Sequence, residues 1–534
     1  MRRYFKFIKE MFTKNKIFVM KGLGIIFILT AMQAIIPLFM KIGLSEITAR
    51  KQISILIIFV LGYGICLLLY NCIDVFWMKY LDCLGGKILE EIRCNIYRAI
   101  SKGNYEELLR IGREKIKNIL YMDTLNVYSS ISCFGIQIVA NVFLICVFLG
   151  VSIFVSWKLT IGLIAAAIIG FFISYISRKP IANASRKVNI KMKEDNQTLN
   201  EYIDSIELIK INHLDEYSLK KMKKSLWDFI NTSLKSDSTL IFLKNIITQY
   251  HQVISFIIVA ILSISMISSM ADIVFCLYIV DLVLTTSQNI ESYIYSLIKL
   301  LPAYENIDRI LNIEDVSQKE KIATIEKIRM KNISFSYKGT MNQVISNMDF
   351  TFVKGDVVDV SGNNGSGKST FVKLLTGLLY PTEGEILLNG IPSTQVDMDS
   401  LRDNILYISQ DEIFLNDTIE NYLEVITNQS ISEEKLTEVK NKVNLIQDIE
   451  QITDEGLSMS GGQRKKILIM RLLLAYQKAS IIILDELEAG LDIETRMILE
   501  EIKKEIISSK KDAIVFIISH EKEKDLQFTK YVKL

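Results

Sequence analysis

The sequence predicts an α-helical membrane domain of six transmembrane helices, followed by an α/β domain built on a parallel sheet. Three observations carry this expectation. Half of the 534 residues are hydrophobic and the mean hydropathy is +0.28, high for a water-soluble chain. The longest apolar runs all fall within the first 300 residues. Past about residue 328 the texture changes to short β-like runs alternating with helical patterns. A chain this long also exceeds what one ordinary core can organise, so two or more domains are expected.

A helix needs roughly 20 apolar residues to cross the hydrocarbon core of a bilayer. Six stretches qualify, at about 17–44, 53–78, 131–155, 159–176, 241–267 and 273–300. The third and fourth are separated only by Ser156, Trp157 and Lys158, a tight hairpin with an interfacial aromatic. Ser287, Gln288, Asn289, Glu291 and Ser292 interrupt the sixth. The N-terminal Met1-Arg2-Arg3 is basic, and the apolar run after it is too long for a signal peptide.

Long polar, helix-patterned segments join spans two and three and spans four and five. They carry Lys87, Arg93, Arg98, Arg110 and the cluster Lys220-Lys221-Met222-Lys223-Lys224. Loops on the other side are short and hold chiefly Lys41, Arg50, Lys51 and Lys158. The positive-inside bias places both termini and both long segments in the cytoplasm, and the chain in the cytoplasmic membrane as a multi-pass protein. Formal net charge is only +2, so no bulk field favours nucleic acid. The basic segments read instead as surfaces beside the lipid bilayer. The seven cysteines show no CxxC spacing, which argues against a disulfide framework or a structural zinc site.

The charged stretch 314–327 reads as a linker between a membrane domain over 1–313 and an α/β domain over 328–534. Short apolar runs at 356–360, 406–408, 481–484 and 514–518 suit buried parallel strands. The first leads into Gly362-Asn363-Asn364-Gly365-Ser366-Gly367-Lys368-Ser369-Thr370, a match to GxxxxGK[ST] between a strand and a helical pattern. Glycines there let backbone N–H groups close around phosphate oxygens at a helix N-terminus. Lys368 is expected to reach the β and γ phosphates of ATP, and Ser369 to ligate Mg²⁺. The run Ile481-Ile482-Ile483-Leu484 delivers Asp485 and Glu486 at the C-terminal end of a strand, where α/β sheets bind ligands. Asp485 is the expected second Mg²⁺ ligand and Glu486 the general base that polarises the attacking water.

Met459-Ser460-Gly461-Gly462-Gln463, just before that strand, resembles the LSGGQ signature of ATP-binding cassette (ABC) transporters, with Met459 in place of the usual Leu. Other family motifs follow in order. Tyr337 resembles the aromatic that stacks on adenine, and Gln410 the Q-loop glutamine that contacts nucleotide and metal. The run Ala489-Gly490-Leu491-Asp492 resembles the D-loop, and His520 the switch histidine. Six spans followed by one nucleotide-binding domain resemble an exporter-type half-transporter, and the resemblance covers nearly the whole chain. It implies ATP-driven transport, with ATP and Mg²⁺ bound. It also implies a second half-transporter subunit, because the signature meets the nucleotide held by the partner. A homodimer is favoured, since both halves of the site look competent, and a heterodimer is the alternative.

The chain departs from the family pattern in three places. Leu487 stands where Pro usually follows the catalytic Glu, and Gly490 replaces a small polar residue. The chain ends at Leu534, soon after His520, so the family's last strands and helices are expected to be missing. The P-loop and the extension Gly461-Gly462-Gln463-Arg464-Lys465-Lys466 resemble those of bacterial peptide and bacteriocin exporters. A peptide is therefore the favoured cargo, with no N-terminal peptidase domain expected; a lipid or hydrophobic small molecule is the rival. A membrane ATPase with a sensing role and a soluble ABC ATPase rank below. Asp281, a carboxylate within the sixth span, is expected to face a cavity or a partner. His213 and His251 read as structural. Residues 103–106 and 206–211 occupy the places of the family's coupling helices.

Overall fold

The computed structural model describes residues 10, 13–50, 53–129, 136–155, 157–265, 270–299, 301–314, 320–337, 342–409, 412–445, 451–453, 456, 459–488, 490–519 and 526–534. Two compact units result. One comprises residues 1–97 and 114–312, and the other 98–113 and 313–534.

The first unit is helical. Its long helices are α1 (Lys16–Arg50), α2 (Ile53–Lys102), α3 (Ile136–Val155), α4 (Trp157–Asp204), α5 (Asp215–Ser265) and α6 (Met270–Lys299). Among the described residues, two stretches meet the length and composition needed to cross a bilayer: Lys16–Ile47 and Ile53–Lys102. Shorter apolar stretches, Gln137–Ile153, Thr160–Ile169 and Val274–Ile290, lie in α3, α4 and α6. Helices α2, α4 and α5, each about 50 residues long, run on into the polar segments, which also hold the short helices Tyr105–Ile111, Arg113–Asn118, Thr124–Ser129 and Ile206–Ile211.

Helix α2 changes character along its length. Ile58, Leu61, Leu68 and Phe76 are exposed, as side chains facing lipid tails would be. From Trp77 a stripe of Leu81, Leu84, Ile88, Ile92 and Ile96 is buried at the three-to-four spacing of one helix face. Helices α3, α4 and α6 share a core of Leu144, Phe148, Leu163, Ala166, Ile279 and Val283. Ser152 and Thr160 hydrogen-bond at 2.8 Å across the α3–α4 hairpin, satisfying two hydroxyls away from water.

The second unit holds two sheets. An antiparallel sheet has the order β2-β1-β4-β5, with β1 Lys327–Phe335, β2 Ile345–Val353, β4 Glu383–Leu388 and β5 Ile391–Pro392. A parallel sheet has the order β6-β7-β8-β3-β9, with β3 Val357–Ser361, β6 Ile405–Ile408, β7 Ile481–Asp485, β8 Ile514–Ile518 and β9 Lys530–Lys533. The four runs read as buried parallel strands are β3, β6, β7 and β8. Both faces of β7 and β8 are covered, which explains their unbroken aliphatic sequence.

A stretch read as a linker and one read as the place of a coupling helix are both seated in this second unit. Residues 320–327 belong to the folded second unit: Ile322 and Ile325 are buried in its core, and Glu320 donates its N–H to the Gln395 carbonyl at 2.9 Å. Residues 98–113 belong there too. Asn104 donates its N–H to the Glu314 carbonyl at 3.2 Å, and Tyr105 packs on the core of this unit. The end of the chain adds β9, which pairs in parallel with β3, with Val532 opposite Val360.

Candidate functional site

The P-loop runs from the end of β3 into α7 (Lys368–Leu375). Gly365 has φ +80° and Gly367, the N-cap of α7, φ +103°; a side chain is strained at either value. Gly362 is required for space, since a Cβ there would lie 2.4 Å from Ser366 Oγ and 2.9 Å from the Leu534 carbonyl. Ser366 closes the loop by donating its N–H to the Asn363 carbonyl at 3.1 Å. Its hydroxyl is buried with no hydrogen-bond partner among the described residues. A buried donor left this way suits an oxygen-rich ligand such as a phosphate. Asn363, Asn364 and Ser369 are exposed at the loop surface, while Thr370 is buried.

Lys368 is 9% exposed, so the loop and its neighbours hold its ammonium in place. Its Nζ lies 3.2 Å from the Gly362 carbonyl and 3.3 Å from Glu486 Oε1. The geometry therefore brings together the lysine expected at the phosphates and the carboxylate expected to activate water. Tyr337 sits beside the loop: its hydroxyl is 3.2 Å from Thr370 Oγ1 and its ring meets Phe335 edge-on at 5.0 Å.

Asp485 ends β7, and its carboxylate accepts a hydrogen bond from the Tyr407 hydroxyl on β6 at 3.0 Å. Burial, then the nearby Asp485 charge, push the Tyr407 phenol up, so it remains a donor. Ser369 and Asp485 offer hard oxygen donors, the type Mg²⁺ takes together with phosphate oxygens. The next residue, Glu486, adopts a left-handed conformation with φ +50°, a strain on the order of 1–3 kcal/mol for a non-glycine residue. Its N–H donates to the Ile518 carbonyl at 3.0 Å, which ties the strained residue to β8.

Ser460 caps α8 (Gly461–Ala475). Its Oγ accepts from the Gln463 N–H at 3.2 Å, and Gln463 Oε1 accepts from the Ser460 N–H at 2.9 Å. This reciprocal pair is a capping box. Among the described residues, nothing stands within 4 Å of where a Cβ would lie on Gly461 or Gly462. Gln410, His520 and Ala489 lie outside the described residues, as do Ser156 and residues 1–9.

Three contacts were missed by motif reading. Tyr407 braces Asp485, and only its place on the strand before the Q-loop hinted at it. Lys503, 2% exposed, pairs with Glu488. Lys465 donates to the Leu487 carbonyl at 3.2 Å. In a charged helical pattern, neither lysine is marked by sequence as facing inward.

The fold and site define a P-loop nucleotide-binding domain fused to a helical membrane region. The chain belongs to the ABC transporter family. Residues 19–286, just over half of the chain, match the family's "ABC transporter transmembrane region", and 345–489 match its "ABC transporter" domain. An ATP-dependent lipid A-core flippase of Haemophilus influenzae is 32% identical over 202 residues, 36% of this chain and 34% of that protein. The match therefore spans about a third of that relative's length. A lipid A-core flippase of Haemophilus ducreyi is 25% identical over 516 residues, 90% of this chain and 83% of its own. The subtilin transport ATP-binding protein SpaT of Bacillus subtilis is 28% identical over 345 residues, 59% of this chain and 54% of its own. Among solved structures, a bacterial Atm1-family ABC exporter with ATP bound superposes with a TM-score of 0.84 at 17% identity, over 97% of this chain and 93% of that one. That likeness places the chain in the same fold.

Proposed function

We propose that this protein is an ATP-driven exporter of a peptide, acting as a half-transporter in a dimer. The observation that carries ATP hydrolysis is the meeting of Lys368, Asp485 and Glu486 at the mouth of the parallel sheet. Lys368 and the P-loop amides hold the phosphates, Ser369 and Asp485 hold Mg²⁺, and Glu486 takes the proton of the attacking water. Mg²⁺ held by Ser369 and Asp485 would supply positive charge against that developing on the transferred phosphoryl group. The signature at Ser460, Gly461 and Gly462 closes on nucleotide held by a second subunit, a homodimer in the simplest case. Helices α1 to α6 cross the cytoplasmic membrane, with both termini and the nucleotide-binding domain in the cytoplasm.

Two features of the helical unit support an amphipathic cargo. An open pocket of about 330 Å³ between α3, α4 and α6 is lined by apolar side chains such as Ile145, Leu149, Leu163, Ile164 and Val283, with Ser287 its one polar residue among those described, and suits the apolar part of a cargo. Gln33 donates to the Tyr70 hydroxyl at 2.7 Å with Asp74 one turn along α2, while Asp281 on α6 is exposed and outside the lining of that pocket. Carboxylates within spans are costly, and they favour a cargo offering amines and amide N–H groups. The second reading, a lipid cargo, rests on the flippase relatives.

The test measures ATP turnover of the chain in lipid nanodiscs and uptake into inverted vesicles of a basic amphipathic peptide against a labelled lipid. Glu486→Gln is expected to lower kcat by roughly 100-fold or more while ATP still binds. Unchanged turnover would overturn the role of Glu486. ATP-dependent uptake of lipid without peptide would move the cargo to the second reading.

A further inference from the structure

A buried lysine that the ATPase chemistry does not use stands behind the strained Glu486. The segment after β7 has no proline to stiffen it: Leu487 occupies that place, buried at 3% exposure in the core beneath the sheet. Two ammonium groups hold it from different helices. Lys465 on α8, the signature helix, donates to the Leu487 carbonyl at 3.2 Å. Lys503 on α9 (Ile493–Ser509) pairs with the Glu488 carboxylate, their side chains 2% and 15% exposed. An ammonium so removed from water is retained only with a well-placed partner. The turn is closed by the Leu491 N–H, which donates to the Glu488 carbonyl at 3.2 Å. Asp492 then caps α9 by accepting from the Thr495 N–H at 2.8 Å.

We infer that Lys503 and Lys465 are positioning residues for Glu486, forming a two-lysine clamp that replaces the stiffness a proline would give. Glu488 is the handle by which α9 holds the segment, and Leu487 O the handle for the signature helix. A residue at φ +50° relaxes unless its neighbours over-determine it, and the clamp supplies that constraint immediately downstream. This rests on the reading of Glu486 as the base, and the clamp itself has a readout that needs no turnover.

The experiment uses the full chain in nanodiscs with Glu488→Gln, Lys503→Met and the double variant Leu487→Pro/Glu488→Gln. Glu488→Gln and Lys503→Met are expected to lower kcat roughly 10- to 100-fold, because a small displacement of the reacting group suffices. KM for ATP and fluorescent-nucleotide affinity stay within about twofold of wild type. Hydrogen exchange at the Glu486 and Leu491 amides quickens. Adding Leu487→Pro restores kcat and slows that exchange. A lowered melting point with unchanged kcat would make the pair merely structural and overturn the proposal, as would unchanged exchange. Should Lys503→Met fail to fold, the isosteric Glu488→Gln decides alone. Should the wild type turn over no ATP without another chain, exchange decides. A fully active Glu486→Gln would remove the base assignment while exchange still judges the clamp.

Discussion

Lys530→Met tests how the last strand is held to the P-loop strand. Lys530 Nζ donates to Asp356 Oδ2 at 2.7 Å and to the Thr351 carbonyl, and lies 5.8 Å from the Phe352 ring centre. Asp356 also accepts from the Val353 N–H at 2.7 Å and the Thr529 hydroxyl at 3.0 Å. Methionine keeps the stem that packs on Phe352 and removes only the charge. A hydrogen bond between charged groups contributes about 1.5–3 kcal/mol. The lysine side chain is 33% exposed, so solvent screening brings the expected loss to roughly 1–2 kcal/mol. For a domain of this size each kcal/mol lowers the melting point by about 2–4 °C, which gives roughly 2–8 °C. Burial alone would raise the Asp356 carboxyl, but Lys530, the Val353 N–H and Thr529 outweigh it and hold it below 3.8. Because the folded value is depressed, the stabilisation is complete above the unfolded value and is lost as pH falls through the folded one. Calorimetry of the nanodisc-bound chain should show the same gap between variant and wild type at pH 7 and pH 5. A gap under about 1 °C at pH 7 would refute the reasoning, since it would leave this ion pair no net contribution.

Two further substitutions have sharp expectations. Gly384 has φ +81°, and a Cβ there would lie 2.3 Å from the carbonyl oxygens of Lys331 and Asn332, so Gly384→Ala should cost more than about 3 kcal/mol. A melting point near wild type would show that the β1–β4 pairing yields more easily than its register implies. Ser460→Asn keeps a good N-cap where Ser460→Ala loses about 1 kcal/mol. With Asn the melting point should hold while ATP turnover falls, whereas equal turnover would reduce Ser460 to a capping residue.

Motifs whose chemistry demands a fixed spacing were legible from sequence. The P-loop needs glycine where φ is positive and where Ser366 approaches, and Gly365, Gly367 and Gly362 meet those demands. The aliphatic run of β7 announces a strand covered on both faces. Legibility failed where one side chain chooses among solvent, lipid and a distant partner. Lys503 lies in a helix rich in Lys and Glu, and nothing local says that it alone points inward toward a residue 15 positions back. The stretch 314–327 reads as a linker because its charges dominate the pattern, yet within it Ile322 and Ile325 are buried. The antiparallel sheet was also hidden, since its register depends on bulges between Met330 and Ile333 and between Lys331 and Ser334.

The assignment of residues 98–113 to the nucleotide-binding unit has a topological consequence. The chain passes between the units at 97/98, 113/114 and 312/313, so no single cut separates them. A fragment beginning at residue 313 would present the surface that Tyr105 covers and leave the Glu314 carbonyl without the Asn104 N–H. During synthesis the 98–113 segment emerges some two hundred residues before the core on which it folds. Its docking waits until that core exists, so the helices on either side are tied to a domain still to be made. The two halves of the machine are thus stitched rather than strung.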